Sequence, residues 1–323
     1  MWKMIIRRIL ILIPQLIAIS LLVFILATFM PGDALSGMID PTLSMEQIER
    51  QREILGLDEP LPARYISWIS GIIFEGDFGN SFTHRRPVME VIGERAGNTI
   101  RLSIGVILLT YIIAIPLGVI SGRFNGKSVD KIVLVYVFVA LSMPALILGI
   151  LMIWLFAFNL GLFPSGGSVD AITLAGGNAL EILANRIHHA VLPVVTGALV
   201  STVGIIFMLR ANIIERTHSD YVMMAKSKGL PTGLIFRRHI LRNSLIPVAA
   251  GIGLFIAGML MGVVFIEMIF SYPGIGRLFF DSITARDFAV VNALVMIFAA
   301  LTALGTLISD IVLVIVDPRI RIE

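Results

Sequence analysis

The sequence has no cysteine and few charged residues. The absence of Cys among its 323 residues excludes disulfides, thiolate metal sites and a cysteine nucleophile. Charged residues make up only 15% of the chain and hydrophobic residues 57%, whereas soluble domains have roughly 25% and 45–50%. We therefore expect an integral membrane protein. Its 25 basic and 22 acidic residues nearly balance, so nothing indicates a nucleic acid partner.

Motifs of membrane enzymes and nucleotide-binding proteins are also missing. The chain has no His-Glu-x-x-His, no Gly-x-Ser-x-Gly and no paired aspartates within an apolar run. The segment Ser121–Ser128 resembles a phosphate loop, but a serine stands where such a loop needs glycine, and no strand precedes it. His188 and His189 are adjacent, which places them on different faces of a helix and makes them poor joint metal ligands. We predict no catalytic or metal site in this chain and interpret Ser121–Ser128 as a turn.

Six apolar stretches are long enough to cross a bilayer, which takes about 20 residues. They are Ile9–Met30, Asn98–Ser121, Lys131–Asn159, His188–Arg210, Pro247–Glu267 and Phe288–Val316. The third contains Pro144, which we expect to kink it. The first is longer than the roughly 7–15 apolar residues of a signal peptide, and no small-residue cleavage site follows it. We therefore predict a retained first helix.

Basic residues flank these stretches mainly on one side. That side carries Lys3, Arg7, Arg8, Arg123, Lys127, Lys131, Arg210, Arg216, Lys226, Lys228, Arg237, Arg238, Arg242, Arg319 and Arg321. In residues 31–97, on the opposite side, acidic residues outnumber basic ones. By the positive-inside rule we predict that both termini and residues 211–246 are cytosolic.

This pattern divides the chain into one membrane domain with an inserted segment. We predict a first transmembrane helix at 1–30, an extracytoplasmic helical insertion at 31–97, and a five-helix core at 98–323 that contains the cytosolic loop 211–246. Within the insertion, Ser44 and Gln47 form a capping-box pattern for a helix that stops by Gly56. Leu61–Phe74 is expected to form a second, interfacial helix that carries Trp68.

Glycines in two spans allow close helix contact. Gly118/Gly122 and Gly258/Gly262 are small-xxx-small pairs, which suit packing within the chain as well as a partner interface. Gly251 and Gly253 extend the second pair into one smooth face on the fifth span. We expect that face to contact a second membrane subunit.

Three ionisable residues lie near the ends of spans. Arg101, Glu267 and Asp310 are close enough to the interface for their side chains to reach water. A structural role and a role along a transport pathway both stay open for them.

A short helix is predicted in the cytosolic loop. Asp220 is placed to cap its start, Lys226 and Lys228 lie in its last turn, where the helix dipole favours cations, and Gly229 suits the position just after the end. These signals define a helix of about two turns with basic residues at its end.

One face of this helix is apolar. Tyr221, Met224 and Ala225 share it at spacings of three and four residues. An apolar face exposed in the cytosol is normally covered by a partner, so we predict that this helix docks onto another protein. A basic loop held by anionic lipid is the alternative.

The loop resembles the coupling-loop signature of bacterial ABC importer permeases of the peptide/nickel branch. The matching residues are Asp220-Tyr221, Ala225-Lys226, Lys228-Gly229-Leu230, His239, Leu241-Arg242-Asn243 and Leu245-Ile246-Pro247. The general signature reads Glu-Ala-Ala, three residues, Gly, nine residues, Ile-x-Leu-Pro. Aligned on Gly229, its first positions fall on Met223, Met224 and Ala225, of which only the last matches. Pro247 comes later than in the general form, a spacing typical of peptide-type permeases.

Further matches to this family run along the chain. They are Pro31-Gly-Asp33, Gly76-Asp-Phe-Gly-Asn-Ser81, Ser142-Met-Pro144, Phe265-Ile-Glu-Met-Ile-Phe270, Pro273-Gly-Ile-Gly276 and Asp317-Pro-Arg319. The resemblance is to the first of two paired permeases. It implies an all-α integral membrane protein with the type I ABC importer permease fold: six transmembrane helices and an extracytoplasmic insertion between the first two.

The resemblance also implies partners and a mechanism. A second homologous permease, two cytosolic subunits that bind ATP and Mg, and an extracytoplasmic substrate-binding protein would complete the importer in the bacterial cytoplasmic membrane, in contact with its lipid. This chain would hold no cofactor and would not be an enzyme. The short helix would sit in a groove of one ATPase and follow its closure, giving alternating access.

Site residues follow from the same resemblance. Those expected to couple to the ATPase are Asp220, Tyr221, Met223, Met224, Ala225, Lys226, Lys228, Gly229 and Pro247. Those expected along the substrate path are Arg101, Met143, Pro144 and Glu267.

The substrate expected from the resemblance is an oligopeptide or a dipeptide. A nickel chelate, glutathione and heme are alternatives for the same type of importer. Outside this class, the chain would be a membrane enzyme or a self-contained channel. An enzyme requires titratable groups converging at one depth, and none are evident in the sequence. A channel requires no exposed docking helix.

Overall fold

The computed structural model describes residues 2–29, 59–260 and 264–316, and these are mostly helical. Some predicted features lie outside the described residues. They are Pro31–Asp33, the helix from Ser44 to Gly56, Gly262, and Asp317–Arg319.

The described residues form seventeen ranges of α-helix and β-strand. In chain order they are α1 (Trp2–Phe29), α2 (Leu61–Ser70), β1 (Asn80–Ser81), β2 (Arg86–Pro87), α3 (Val88–Arg123), α4 (Ser128–Ser142), α5 (Ala145–Met152), α6 (Ala171–Gly176), α7 (Ala179–Thr217), α8 (Asp220–Ser227), α9 (Thr232–Ile235), α10 (Arg242–Ser244), α11 (Ile246–Ala250), α12 (Ile252–Leu260), α13 (Val264–Ile269), α14 (Ile275–Thr284) and α15 (Phe288–Val316). Segments of π-helix continue three of them: Gly71–Glu75 follows α2, Ile153–Asn159 follows α5 and Phe236–Leu241 follows α9.

Among the described residues, five helical stretches are long and apolar enough to span a membrane, and a sixth arises if α4 and α5 are one span. The axes of this pair are bent by 101°. Met143 and Pro144 form the break, with Met143 extended and Pro144 preceding the first residue of α5. The predicted kink is confirmed, and it is a full break because proline forces the residue before it out of the helical region.

α3 and α7 are longer than the predicted spans. α3 begins at Val88 and α7 at Ala179, because polar residues beyond the apolar runs continue the helices. At the start of α7 the Asn178 side chain accepts hydrogen bonds from the amides of Leu180 and Glu181, and the Glu181 carboxylate accepts one from the Asn178 amide. This capping box fixes where α7 starts.

The most extensive helix–helix contact in the described part joins α3 to α7. It depends on glycine, because a Cβ at Gly118 would lie 3.1 Å from the Leu209 Cβ, and one at Gly122 would lie 2.8 Å from the Ile213 Cβ. The first small-xxx-small pair therefore serves packing within the chain.

The smooth face of the fifth span is also used within the chain. A Cβ at Gly253 would overlap the carbonyl oxygen of Gly305, and one at Gly305 would lie 2.5 Å from the Ala257 Cβ. α12 thus packs closely on α15. The prediction that this face meets a second subunit is wrong for Gly253, whereas a Cβ at Gly258 would have no heavy atom within 4 Å among the described residues.

α1 and α2 lie beside the bundle. Arg8 of α1 forms an ion pair with Asp310 of α15, with Nε 2.7 Å from Oδ2. α2 confirms the predicted helix with Trp68; the Trp68 and Tyr65 rings pack on Phe24 with centroids 5.9 and 5.5 Å away. This contact attaches α2 to α1.

A small hairpin joins the segment before α3 to α15. β1 and β2 pair antiparallel. Asp287, fully buried just before α15, accepts hydrogen bonds from the Ser81 hydroxyl at 2.5 Å and the Thr83 amide at 3.1 Å. The motif that contains Ser81 therefore fixes the hairpin to the bundle.

Candidate functional site

The predicted short helix is present as α8, from Asp220 to Ser227. Its N-cap is Ser219, so the prediction that Asp220 caps the helix is wrong by one residue. Asp220 occupies the first turn, where its carboxylate lies near the positive end of the helix dipole. After the helix, Gly229 adopts a left-handed conformation with φ of +73°, and its amide donates to the carbonyl of Lys226 at 2.9 Å. The predicted glycine stop is confirmed.

The two faces of α8 differ from the predicted arrangement. Val222 and Ala225 face the protein core, and only 6% of Ala225 is exposed. Tyr221 is partly buried against the same core. Met223 and Met224 point away from it, with 56% and 60% of their surfaces exposed.

The prediction that Ala225 lies on an exposed docking face is therefore wrong, Tyr221 is only partly accessible, and Met224 is the largely exposed member of the predicted face. α8 uses the Tyr221 and Ala225 side to attach to its own chain, because a short helix needs such an anchor to be stable. The outward apolar surface is Met223 with Met224, named here the methionine surface. Lys226, Lys228 and Asp220 are also exposed.

The anchored side of α8 joins a hydrophobic cluster built by several elements. Besides Val222 and Ala225, the cluster contains Leu209 and Ile213 of α7 and Ile235 of α9. Because these side chains are buried together, α8, the end of α7 and the segment after α9 form one packed unit.

Pro247, another predicted coupling residue, lies in α11 and is partly buried. Its neighbour Val248 belongs to the same hydrophobic cluster as α8. Pro247 therefore lies at the junction between this cluster and the fifth span, apart from the exposed surface of α8.

A buried polar cluster lies between α3, α4 and α7. Asp130, which is 1% exposed, accepts hydrogen bonds at Oδ1 from the Ser121 hydroxyl (2.5 Å) and Arg210 Nε (2.8 Å). Its Oδ2 accepts from the Gly126 amide (2.8 Å) and Arg210 Nη2 (2.9 Å). Arg210 Nη2 also donates to Asn125 Oδ1 at 2.8 Å.

This cluster explains the segment that resembles a phosphate loop. Residues 124–126 of this segment form the predicted turn between α3 and α4, and the Gly126 amide donates to the carboxylate of Asp130. The Asp130–Arg210 ion pair is not among the predictions from the sequence, because Asp130 falls just outside the predicted third span and Arg210 resembles a basic residue that flanks the fourth span. The available signal was an acid and an arginine at the same ends of two neighbouring spans.

Arg123 adds a contact between α3 and the segment after α9. Its guanidinium carbon lies 4.8 Å from the centroid of the Phe236 ring. A cation over an aromatic face is favourable by about 0.5–1 kcal/mol at an exposed site such as that of Arg123. The end of α3 is thus tied to the same unit as α8.

The residues predicted to line a path do not form one group. Met143 is partly buried and Pro144 exposed, both at the α4–α5 break. Arg101 is exposed and donates to Asn98 Oδ1 at 2.6 Å on its own helix, and Asn98 in turn donates to the carbonyl of Pro273 at 2.8 Å.

Glu267 is fully buried, which contradicts the expectation that it lines a path. Its carboxylate accepts hydrogen bonds from the Thr99 hydroxyl at 2.8 Å and the Arg277 amide at 2.9 Å. Thr99 Oγ1 also accepts from the Ile275 amide at 2.7 Å. Glu267 therefore holds the loop between α13 and α14 against α3, since a buried carboxylate requires such donors.

The two histidines hold the segment between α5 and α7. His188 Nε2 lies 2.9 Å from the Leu162 carbonyl, and His189 lies between the Gly166 carbonyl at 3.0 Å and Asp170 Oδ1 at 3.2 Å. The hydrogen bond from the Asn185 side chain, with a further one from His189, lowers the pKa of the Asp170 carboxyl. Among residues 2–29, 59–260 and 264–316, no group of three acidic or histidine side chains is arranged to hold a metal ion.

Comparison with known proteins shows which family the chain resembles along its length. Residues 114–322 match the family described as "Binding-protein-dependent transport system inner membrane component", and residues 1–103 match the N-terminal family of the same membrane components. The chain belongs to this family. The predicted family is thereby confirmed, and the permease is a multi-pass membrane protein.

Relatives of this permease match along its whole length. The oligopeptide transport system permease protein AppB of Bacillus subtilis (strain 168) is 36% identical, with 98% of each chain covered. The dipeptide transport system permease protein DppB of Lactococcus lactis subsp. cremoris (strain MG1363) is 33% identical, with 100% of each covered. The glutathione transport system permease protein GsiC of Escherichia coli (strain K12) is 33% identical, with 99% of each covered.

A solved structure agrees with the predicted fold class. A chain of the MetNI methionine ABC transporter, in an inward-facing conformation, superposes with a TM-score of 0.54. The match covers 71% of this chain and 97% of that chain at 16% identity. The helical permease fold is therefore confirmed.

Proposed function

We propose that this chain is the first of two permease subunits of an ATP-driven importer for oligopeptides or dipeptides. Full-length relatives named as oligopeptide and dipeptide permeases support the substrate class. The observation that carries the coupling role is α8, whose one face is fixed in the core while the methionine surface is exposed.

The methionine surface is the part of α8 that docks into a cytosolic ATPase. Met side chains are flexible and polarisable, so Met223 and Met224 adapt well to an apolar groove. Lys226 and Lys228 lie beside them and suit the polar rim of such a contact. The anchored side, with Val222 and Ala225, makes the helix follow the ATPase as a rigid body.

Closure of two ATPase subunits around ATP and Mg moves α8 and the attached helices. The spans then rock against those of the second permease, and the pathway opens outward. In this proposal ATP is hydrolysed on the partner subunits, and the permease has no ATPase site of its own. Both termini face the cytosol of a bacterium, and residues 31–97 meet the extracytoplasmic binding protein.

Glutathione is the second candidate substrate. It is itself a small peptide, and a glutathione permease matches this chain at the same 33% identity as the dipeptide permease. The two candidates share the coupling mechanism and differ only in the cargo delivered by the binding protein.

Co-purification followed by reconstitution tests this function. The chain, isolated from its native membrane, is expected to bring a second permease and two ATP-binding subunits. Liposomes that contain this complex and its binding protein are expected to accumulate a labelled oligopeptide or dipeptide only with ATP. Labelled glutathione serves as the competing cargo.

Two outcomes would contradict the proposal. Uptake by the purified chain without any ATPase would indicate a self-contained channel. Uptake by the complete complex that does not depend on ATP would contradict the coupling role of α8.

A further inference from the structure

The buried cluster around Asp130 includes Arg210, which lies near the α8 end of α7. Both carboxylate oxygens are bound by the planar fork of Arg210, at 2.8 and 2.9 Å. Ser121 and the Gly126 amide occupy the remaining acceptor positions. Such a two-pronged, shielded ion pair holds its partners in one geometry, which a single apolar contact does not.

Arg210 belongs to the unit that carries α8. It lies in the last part of α7, one turn before Ile213, which is buried in the same hydrophobic cluster as Val222 and Ala225. Buried packing therefore joins α8 to the segment of α7 that holds Arg210.

Asp130 lies at the start of α4, which has its own contacts along α7. Tyr136 Oη is 2.7 Å from Thr202 Oγ1, and the Phe138 ring packs on Phe207 with centroids 6.0 Å apart. At its other end α4 stops at the 101° break that leads into α5. Of these α4–α7 contacts, the Asp130–Arg210 pair involves the α7 residue that is nearest to α8 along the chain.

We propose that the Asp130–Arg210 ion pair is the positioning pair that carries movement of α8 and α7 into α4 and, through the break before Pro144, into α5. This inference rests on the proposed function. Apolar side chains allow packed helices to slide past one another by small shear steps. The ion pair prevents that slip, because sliding would leave the buried Asp130 carboxylate without its arginine.

The first test compares uptake with ATP hydrolysis in the reconstituted complex. D130N keeps the shape of the side chain and removes its charge, and R210K keeps the charge and removes the fork. D310N is the matched control, since it changes another aspartate that pairs with an arginine but joins α1 to α15. We expect D130N to lower peptide uptake per ATP hydrolysed roughly two- to thirty-fold, the range typical of coupling contacts.

The second test follows the helices directly. The chain has no native cysteine, so Lys131→Cys on α4 and His218→Cys just before α8, both at exposed positions, give the only spin-label pair when the partner subunits are made free of cysteine. With the ion pair intact, the distance between the labels is expected to stay single and constant on addition of ATP. In D130N it is expected to broaden and to change with ATP, because α8 then moves without α4.

These readouts separate the possible failures. If D130N matches D310N in uptake per ATP and in label distance, the positioning role is wrong while the importer remains. If the wild-type complex shows no ATP-dependent uptake, the proposed function fails instead. If D130N does not reach the membrane, R210K provides the test instead. The positioning role is contradicted if R210K matches the wild type both in uptake per ATP hydrolysed and in label distance.

Discussion

At the scale of single residues, the proposed docking of α8 depends on which of its side chains are exposed. Met223 and Met224 are exposed, and Ala225 is packed in the core. Substitution of a residue that contacts a partner should weaken association, whereas substitution of a residue that anchors the helix should lower the stability of the fold. The two classes can therefore be separated by experiment.

The double substitution of Met223 and Met224 by Glu is expected to weaken ATPase association on the order of tenfold or more, because charge replaces the apolar centre of the contact. Thermal unfolding of the chain in detergent should stay unchanged. Association can be measured by pull-down of the ATP-binding subunits. The control is Met89→Glu, because Met89 is also an exposed methionine and lies in the first turn of α3, away from α8 in the sequence. Equal loss with the control would contradict the docking role.

Ala225→Leu is expected to have the opposite profile. Overpacking the core under α8 should lower the free energy of unfolding by about 1–3 kcal/mol. Ser227→Leu, on the exposed side of the same helix, should change it by less than about 0.5 kcal/mol. Thermal unfolding of the two purified variants checks this. A stability loss at Ser227 equal to that at Ala225 would mean that α8 is not anchored as described.

At the scale of elements, the glycines of α3 set the distance to α7. Gly122→Ala places a methyl group 2.8 Å from the Ile213 Cβ, which should destabilise the chain by about 1–3 kcal/mol. Gly204→Ala is the matched control, because its Cβ would meet no heavy atom within 4 Å among the described residues. Helix propensity there favours alanine by roughly 1 kcal/mol. Unfolding midpoints of the two variants should therefore shift in opposite directions, and equal shifts would contradict the packing.

Glu267 sets the loop between α13 and α14. Glu267→Ala leaves the amide of Arg277 and the Thr99 hydroxyl without their acceptor, at a cost of about 1–3 kcal/mol. Hydrogen exchange at the Ile275 and Arg277 amides should rise. Asp281→Ala, which removes an exposed acid 3.6 Å from Arg277, should leave both amides protected. If Glu267→Ala leaves them protected too, the carboxylate does not hold this loop.

Local signals account for the elements that could be predicted. Apolar length predicted the spans, Pro144 predicted the break after α4, and Gly229 predicted the end of α8, because each effect acts within a few residues. The outward face of α8 could not be predicted, since it depends on where α7 and α9 pack. Likewise, Asp130 and Arg210 are 80 residues apart, and only the tertiary fold brings them together.

At the scale of the whole molecule, the structure combines a packed unit around α8 with an attached peripheral part. α3, α4 and α7 join α8 through the hydrophobic cluster and the Asp130 cluster. α1 and α2 lie outside this unit, held by the Arg8–Asp310 pair and the ring contacts of Phe24. This division fits a transporter in which one part moves with the ATPases and another meets the lipid.

The central claim is that the methionine surface of α8 receives a cytosolic ATPase. Because the chain has no native cysteine, Met224→Cys gives it a single thiol. A short crosslinker with one thiol-reactive end, attached there, and one photoreactive end is expected to join this position to an ATP-binding subunit, with a yield that changes when ATP is added, whereas Met89→Cys gives no such product. The account is contradicted if the Met224→Cys product contains no ATP-binding subunit, or if Met224→Cys and Met89→Cys give the same product.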